Sequence, residues 1–268
     1  MAKIGLEQFS PLLIMSMRFG IAGLILVWFT QPPWGRMREI FMVALIGSTI
    51  QYGLTFNGLR GVDASTAAIL VQLEGPILAL FGAFLFKERL GIARIIGMIL
   101  ALLGVFIIVG EPRLEDSLDS ALLLIAGSSV WAVAQLMISR LKGLSAITIL
   151  AWVAVMATPQ MLIGSLILEE GQWQAMMTAD WVDWSIVLYL ALIMTVIGYS
   201  VWYHLLSSVD VSKISPFLML LPVTSIIAGV TLLDEELTAS MIIGGLMIMT
   251  GVGASLINWQ WKKEQIIP

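Results

Sequence analysis

Long apolar stretches, each near 20 residues, alternate along this chain with short polar joints. About 20 apolar residues are enough for a helix to cross the hydrocarbon core of a bilayer. The stretches are continuous rather than alternating in polarity, which favours helices over strands, because a strand in lipid leaves backbone groups unpaired. The predicted membrane-spanning helices cover residues 11–29, 40–59, 64–86, 92–110, 118–139, 146–168, 184–206, 214–233 and 241–259. We therefore predict an all-α polytopic membrane protein with nine spans.

The composition supports this fold class. Hydrophobic residues make up 59% of the 268 residues and charged residues only 12%, whereas soluble domains carry about 25% charged residues. The chain contains no cysteine, so a disulfide-stabilised fold is excluded. The net charge of −4 offers no basic surface for nucleic acid. We expect membrane lipid to surround the protein and no nucleic-acid partner.

The charges of the joints predict an orientation. Alternate joints hold most of the Lys and Arg residues, from Arg36 to Lys263, whereas the opposite joints hold most of the acidic residues. Basic joints lie on the cytoplasmic side of membrane proteins. The C-terminus is therefore predicted to be cytoplasmic, and nine spans then place Met1 outside.

An internal repeat appears when residues 44–105 are aligned without gaps to residues 191–252. The identical pairs include Tyr52 with Tyr199, and the glycines at 97 and 104 with those at 244 and 251. An odd number of spans separates the two copies, so they have opposite orientations. This is the inverted-topology repeat typical of secondary transporters. We predict two domains, residues 1–110 and residues 118–261.

The two copies differ in length, because the second contains five predicted spans and the first only four. We expect a parent of 5+5 transmembrane helices whose first helix is missing from this sequence. The alternative is a natural nine-helix protein.

Several short motifs carry a resemblance to a known family. They are Arg18-Phe19 after Ser10-Pro11, the run 86–90 (FKERL) before Gly97 and Gly104, and the run 233–237 (LDEEL) before Gly244 and Gly251. With these motifs the chain resembles the EamA-type drug/metabolite transporter superfamily over essentially its whole length. Residues 197–202 and 221–223 make it most similar to the branch of cysteine and O-acetylserine exporters.

The resemblance implies a ten-helix inverted-repeat carrier in a bacterial inner membrane. It also implies export of amino acids or related small metabolites by alternating access, without ATP hydrolysis. Glu74 departs from the neutral residue that the resemblance leads us to expect after Gln72, which leaves the substrate open.

Two ionisable residues lie inside predicted spans, Arg18 and Glu74. Charges at such depth are costly, and they normally face a cavity or a partner. Both are candidate substrate-binding residues: Glu74 for a cationic amine or a coupling proton, Arg18 for a carboxylate. The alternative is that they pair with each other and lock two helices together. For Arg18 a structural or orienting role is the favoured interpretation.

Prolines interrupt two spans at nearly matching positions of the repeats, Pro76 and Pro222. Proline lacks the amide hydrogen that would bond the carbonyl of Gln72. Broken backbone near the midplane in both halves points to a transport site, although an ordinary packing kink is the alternative.

Polar and aromatic residues at helical spacing give further candidates for lining a substrate cavity, with packing between helices as the alternative. These candidates are Gln51, Tyr52, Trp131, Gln135 and Tyr199. Thr195 shares a face with Tyr199 and is expected to form a hydrogen bond between helices. The glycines of the repeat are expected to allow close helix packing.

The sequence contains no motif of a hydrolase, a phosphate-binding loop or a metal site. We therefore expect no enzyme activity and no cofactor. The expected partner is a small-molecule substrate, with protons as a coupling ion suggested by Glu74 alone. Monomer and homodimer both stay open. The alternative function is a non-transporting membrane scaffold or a lipid-handling protein.

Overall fold

The computed structural model describes residues 1–86, 92–110, 117–201 and 220–263, and these residues contain helices and no β-strand. The helices are α1 (Ala2–Gln8), α2 (Pro11–Leu26), α3 (Met37–Gly61), α4 (Ala64–Val71), α5 (Glu74–Phe86), α6 (Ile92–Val109), α7 (Leu118–Ser139), α8 (Ala146–Leu168), α9 (Gln172–Thr178), α10 (Trp181–Val201), α11 (Leu220–Leu232) and α12 (Ala239–Lys263). A short 3₁₀ turn, Val27–Phe29, extends α2. The all-α prediction is confirmed.

Five of these helical segments are long and apolar enough to cross a membrane, and four shorter apolar helices accompany them in the described residues. The long segments are Pro11–Phe29, Met37–Gly61, Leu118–Ser139, Ala146–Leu168 and Trp181–Val201. The shorter ones are Ala64–Leu78, Ile95–Val109, Val223–Leu232 and Ala239–Ala254. Each of them overlaps one of the nine apolar stretches of the sequence, and residues 202–206 and 214–219 of the predicted spans lie outside the described residues.

Several predicted boundaries differ from the structure: the starts predicted at 40 and 241 lie at Met37 and Ala239, and two further differences have identifiable reasons. The predicted span 64–86 contains two helices, α4 and α5, because the turn tightens at Gln72 and Leu73, whose N–H groups donate to carbonyls three residues earlier. The predicted start at residue 184 is three residues late. The carboxylate of Asp180 accepts the backbone N–H groups of Val182 and Asp183 and begins α10 at Trp181.

The chain divides into two compact units, and each is described by itself. Unit 1 comprises Met1–Phe56 and Ala134–Val209, and unit 2 comprises Asn57–Val133 and Asp210–Pro268. Each unit therefore combines residues from both predicted domains, 1–110 and 118–261. Those domain boundaries stay a prediction from the sequence.

Unit 1 is built around the antiparallel packing of α2 on α8. Small residues of α2 let the two backbones approach, since an added Cβ at Gly23 would lie 3.1 Å from the backbone nitrogen of Val155. One turn earlier Gly20 faces Thr158, and further towards the start of α2 Leu12 faces Gly164. Close approach of this kind is the main source of helix association in lipid, where apolar surface gains nothing from leaving the solvent.

Unit 2 is built around an equally close crossing of α6 and α12, made by the repeated glycines. A Cβ on Gly104 would lie 2.5 Å from the carbonyl oxygen of Gly244, and a Cβ on Gly244 would lie 2.6 Å from that of Gly104. A Cβ on Gly251 would in turn collide with the carbonyl oxygen of Gly97. The expectation that these glycines allow close packing is confirmed.

Two long helices of unit 1 contain a π-helical segment, in which the turns are wider than in an α-helix. The segments are Leu45–Ile50 of α3 and Tyr189–Gly198 of α10. In α3, the N–H of Gln51 donates to the carbonyl of Ile46, five residues earlier. Such wide turns are rare and frequently mark functional positions.

Candidate functional site

Arg18 lies inside unit 1, and its side chain is only 6% exposed. Its Nε–H donates to the hydroxyl oxygen of Thr195 across a distance of 2.7 Å, and one Nη lies 3.9 Å from the sulfur of Met15. Among the described residues of unit 1, no carboxylate lies within ion-pair distance of the guanidinium. A buried cation without an acidic partner is costly, which marks this position as a candidate functional site.

Aromatic rings surround the guanidinium of Arg18. Its central carbon lies 5.4 Å from the ring centre of Tyr52 and 5.6 Å from that of Phe19. The two rings meet edge to face, and Tyr52 continues in the same way to Phe56. Ring faces attract a cation, yet they supply no full negative charge. The rings therefore orient the guanidinium and leave its charge to be balanced by an anion.

The wide-turn segment of α10 supplies the hydroxyl that holds Arg18. Thr195 is completely buried, and its hydroxyl donates to the carbonyl of Leu190, five residues earlier, at 2.9 Å. This leaves the oxygen of the hydroxyl to accept the N–H of Arg18. The expected hydrogen bond between helices at Thr195 is therefore present, and its donor is the charged residue of α2.

A second buried polar group of unit 1 is the indole N–H of Trp152, which the sequence analysis did not identify. The indole N–H of Trp152 in α8 is buried and has no hydrogen-bond partner. Trp152 packs with Tyr199 of α10 against Leu26, Leu150 and Ala151. Among the residues one helical turn before and after Trp152 only Thr148 is polar, so no polar stripe marks this position in the sequence.

The other candidates of unit 1 lie on α3 and α7. Gln51 is half-buried, and its amide donates to the hydroxyl of Thr55 at 2.9 Å. Gln135 of α7 is half-buried as well. In unit 1 the structure thus brings together Arg18 and Tyr52, and it places Tyr199 one helical turn beyond the threonine that holds Arg18.

In unit 2, Glu74 lies where the backbone breaks between α4 and α5. Glu74 is half-buried and is the first residue of α5, and Pro76 is buried two residues later. The carbonyl of Gln72, which proline cannot bond, accepts the N–H of Gly75 at 3.4 Å instead. Trp131 of α7 is half-buried in the same unit.

The counterpart proline, Pro222, is the third residue of the described part of α11. Its side chain and residues 202–219 lie outside the described residues. The binding roles predicted for the candidate residues of both units stay predictions.

Two carboxylates in polar joints, those of Glu169 and Glu235, cap the starts of helices that are more than 150 residues away in the sequence. Glu169, after α8, accepts the hydroxyl of Ser10 at 2.6 Å and the N–H groups of Leu12 and Leu13 at 2.8 and 3.3 Å. It thereby closes the start of α2, where the helix dipole favours a negative charge.

Glu235 caps a helix start in the same way in unit 2. It accepts the N–H groups of Ala64 and Ser65 at the start of α4, at 2.6 and 3.0 Å. Asp234 adopts a left-handed backbone conformation, with φ at +52°, to turn the chain back towards α4. Gly229 admits this carboxylate, because a Cβ there would collide with it.

No group of three or more metal-binding side chains occurs within the part of the chain that the structure describes.

Comparisons with known proteins agree with the fold. The model of the EamA-like transporter family matches residues 1–110 and 119–257. The chain is 26% identical to a protein named "Probable amino-acid metabolite efflux pump" from Escherichia coli strain K12, over 97% of this chain and 90% of the relative. It is 24% identical to the uncharacterized transporter YoaV of Bacillus subtilis strain 168, over 97% and 92% of the two chains.

A solved crystal structure shares the fold with a TM-score of 0.66 at 17% identity, covering 95% of this chain and 92% of the other. The family match extends over nearly the whole sequence and confirms the resemblance that the motifs of residues 86–90 and 233–237 carry. The matching family and the named relatives are transporters, which supports the predicted transporter over the scaffold and lipid-handling alternative. The chain belongs to the EamA-like transporter family and is a multi-pass membrane transporter of a small molecule.

Proposed function

We propose that this protein exports amino acids or their derivatives and that Arg18 binds the carboxylate of the transported molecule. The observation that carries the proposal is a buried guanidinium with a hydroxyl and two aromatic rings around it and, among the described residues of its unit, no carboxylate partner. A buried charge without a carboxylate partner among these residues is suited to binding a ligand of opposite charge.

The geometry of an arginine suits an anion with paired oxygens, such as a carboxylate. A guanidinium presents its N–H groups as a planar fork that matches the two oxygens of a carboxylate. Thr195 occupies the Nε side of Arg18, so the orientation of the fork is fixed before a ligand arrives. Fixing a side chain in advance lowers the entropy that binding must overcome.

The amino-acid class has independent support from the relatives. A protein 26% identical over 97% of this chain is named a probable amino-acid metabolite efflux pump. An amino acid carries the carboxylate that Arg18 would bind. Its amine is a cation that a carboxylate such as that of Glu74 would attract.

We propose that transport proceeds by alternating access of two inverted repeats. Two features of the structure support the repeat. Gly104 contacts Gly244, while Gly251 contacts Gly97, and the repeat pairs Gly97 with Gly244 and Gly104 with Gly251. Such reciprocal contacts are what a two-fold relation produces. The wide-turn segments Leu45–Ile50 and Tyr189–Gly198 also coincide when the sequence is shifted by the repeat.

We further propose a cytoplasmic C-terminus in a bacterial inner membrane, and protons as the coupling ion. The coupling proposal rests on Glu74, a half-buried carboxylate at the interrupted helix of unit 2. If Glu74 carries the proton, export will respond to a pH gradient, and Glu74→Gln will abolish transport itself. An exposed carboxylate, Glu170, provides the matched control, and Glu170→Gln should leave the response unchanged.

Counterflow in proteoliposomes tests the function directly. Vesicles containing the purified protein are loaded with one unlabelled amino acid, and entry of a trace of the labelled compound is followed. A carrier gives a transient accumulation that protein-free vesicles lack. The proposal predicts accumulation for at least one amino acid or derivative and none for the corresponding decarboxylated amine. No accumulation for any carboxylate-bearing compound would overturn it.

A further inference from the structure

The unpartnered indole N–H of Trp152 is a buried polar group that the carboxylate site described above does not use. Leaving a buried donor without an acceptor is costly in any protein, and the cost is larger at a depth where no bulk water is available. Most such donors are paired. An orphan therefore suggests a partner that is present only at some stage of the protein's work.

The surroundings of Trp152 do not favour a permanently bound water as that partner. A buried water needs two to four polar neighbours. Trp152 packs on an apolar cluster in which Tyr199 is the one other member with a polar atom; the remaining members are Leu26, Ile147, Leu150, Ala151 and Val196. A ligand that brings its own acceptor oxygen is better suited to this position than water.

Two helices connect this donor with the Arg18 site. Leu26 of α2 belongs to the Trp152 cluster and lies eight residues after Arg18, about 12 Å along the helix axis. On α10, Thr195 holds Arg18, while Val196 and Tyr199 pack in the cluster. The wide-turn segment of α10 contains Thr195 and Val196 and ends at Gly198, directly before Tyr199. A change in this segment would therefore affect both positions.

We propose that Trp152 donates its indole hydrogen to an oxygen of the transported molecule and is a second substrate-binding residue of unit 1. This inference rests on the proposed function. It restricts the substrate class to small carboxylates that carry a further acceptor oxygen. In the state described here the apolar cluster covers the donor, and the ligand reaches it when α10 moves relative to α2.

Replacing Trp152 by phenylalanine separates binding from structure. The variant keeps an aromatic ring but removes the orphan donor together with the five-membered ring of the indole, so the ligand-free protein loses packing but no hydrogen bond. The KM for counterflow should rise about 5- to 50-fold, because one hydrogen bond to the substrate is lost. The stabilisation of the protein by saturating substrate should fall accordingly.

Trp173→Phe provides the matched control. Trp173 lies on α9 in the same unit and is 71% exposed, so its replacement should change neither the KM nor the melting temperature. Robust counterflow with an unchanged KM in Trp152→Phe would overturn the inference and leave the proposed function intact. No counterflow in the unmodified protein would overturn the proposed function and this inference together.

Discussion

Replacing Glu169 by alanine removes a carboxylate that joins the end of α8 to the start of α2. Three hydrogen bonds are lost at once, from the hydroxyl of Ser10 and from the N–H groups of Leu12 and Leu13. Loss of a helix cap costs about 0.5–2 kcal/mol, and bonds to a charged acceptor near a helix dipole are stronger than neutral ones. We expect the variant to lose about 2–4 kcal/mol of stability.

The assay is thermal unfolding of the purified protein in detergent, monitored by tryptophan fluorescence. A loss of this size lowers the melting temperature of a chain this long by roughly 4–12 °C. Glu169→Gln should lie between the alanine variant and the unmodified protein, because one acceptor oxygen stays and the charge is lost.

The neighbouring Glu170 is exposed and serves as the control. Glu170→Ala should shift the melting temperature by less than about 1 °C, since substitutions of isolated surface residues change stability little. Equal melting temperatures for the Glu169 and Glu170 variants would refute the capping role.

We predict three further outcomes, the first two from the structure and the third from the charges of the joints. Gly104→Ala should unfold at a lower temperature than Gly53→Ala, because the new Cβ meets a backbone oxygen of the facing helix at 2.5 Å rather than a side chain at 3.4 Å; equal melting temperatures would contradict the close crossing. The variants Glu74→Gln and Arg18→Gln should each be produced at normal levels and fail in counterflow. If neither variant were produced and the double variant were, the two residues would form a buried pair instead. A reporter fused after Lys262 should be cytoplasmic and one in the joint 111–119 external; the reverse pattern would contradict the orientation.

The sequence predicted the helices best where apolar stretches end at polar residues. α7 and α8 begin and end at the predicted residues, because Ser145 caps the start of α8 and charged residues follow α7. The interruption near Pro76 is visible in the sequence, but its exact form is not. The wide turns of α3 and α10 leave no signal in composition or spacing, since they depend on packing.

The site was less accessible to sequence analysis for a physical reason. Arg18 could be recognised as a buried charge from its place within an apolar stretch, whereas its partner Thr195 is 177 residues away. Trp152 could not be recognised at all, because tryptophan is common in membrane helices. Trp152 became a candidate only because the structure shows its buried indole N–H without an acceptor.

The central claim is that Arg18 binds the carboxylate of the transported molecule, and equilibrium binding to the purified protein tests it most directly. The ligands are the amino acid with the strongest counterflow and the amine formed by its decarboxylation, measured with the unmodified protein, Arg18→Lys and Arg18→Gln. Melting temperatures establish that each variant is folded. The unmodified protein should bind the amino acid and not the amine, Arg18→Lys should bind it more weakly, and Arg18→Gln should lose the preference. A folded Arg18→Gln protein that still prefers the amino acid to its amine would contradict the account.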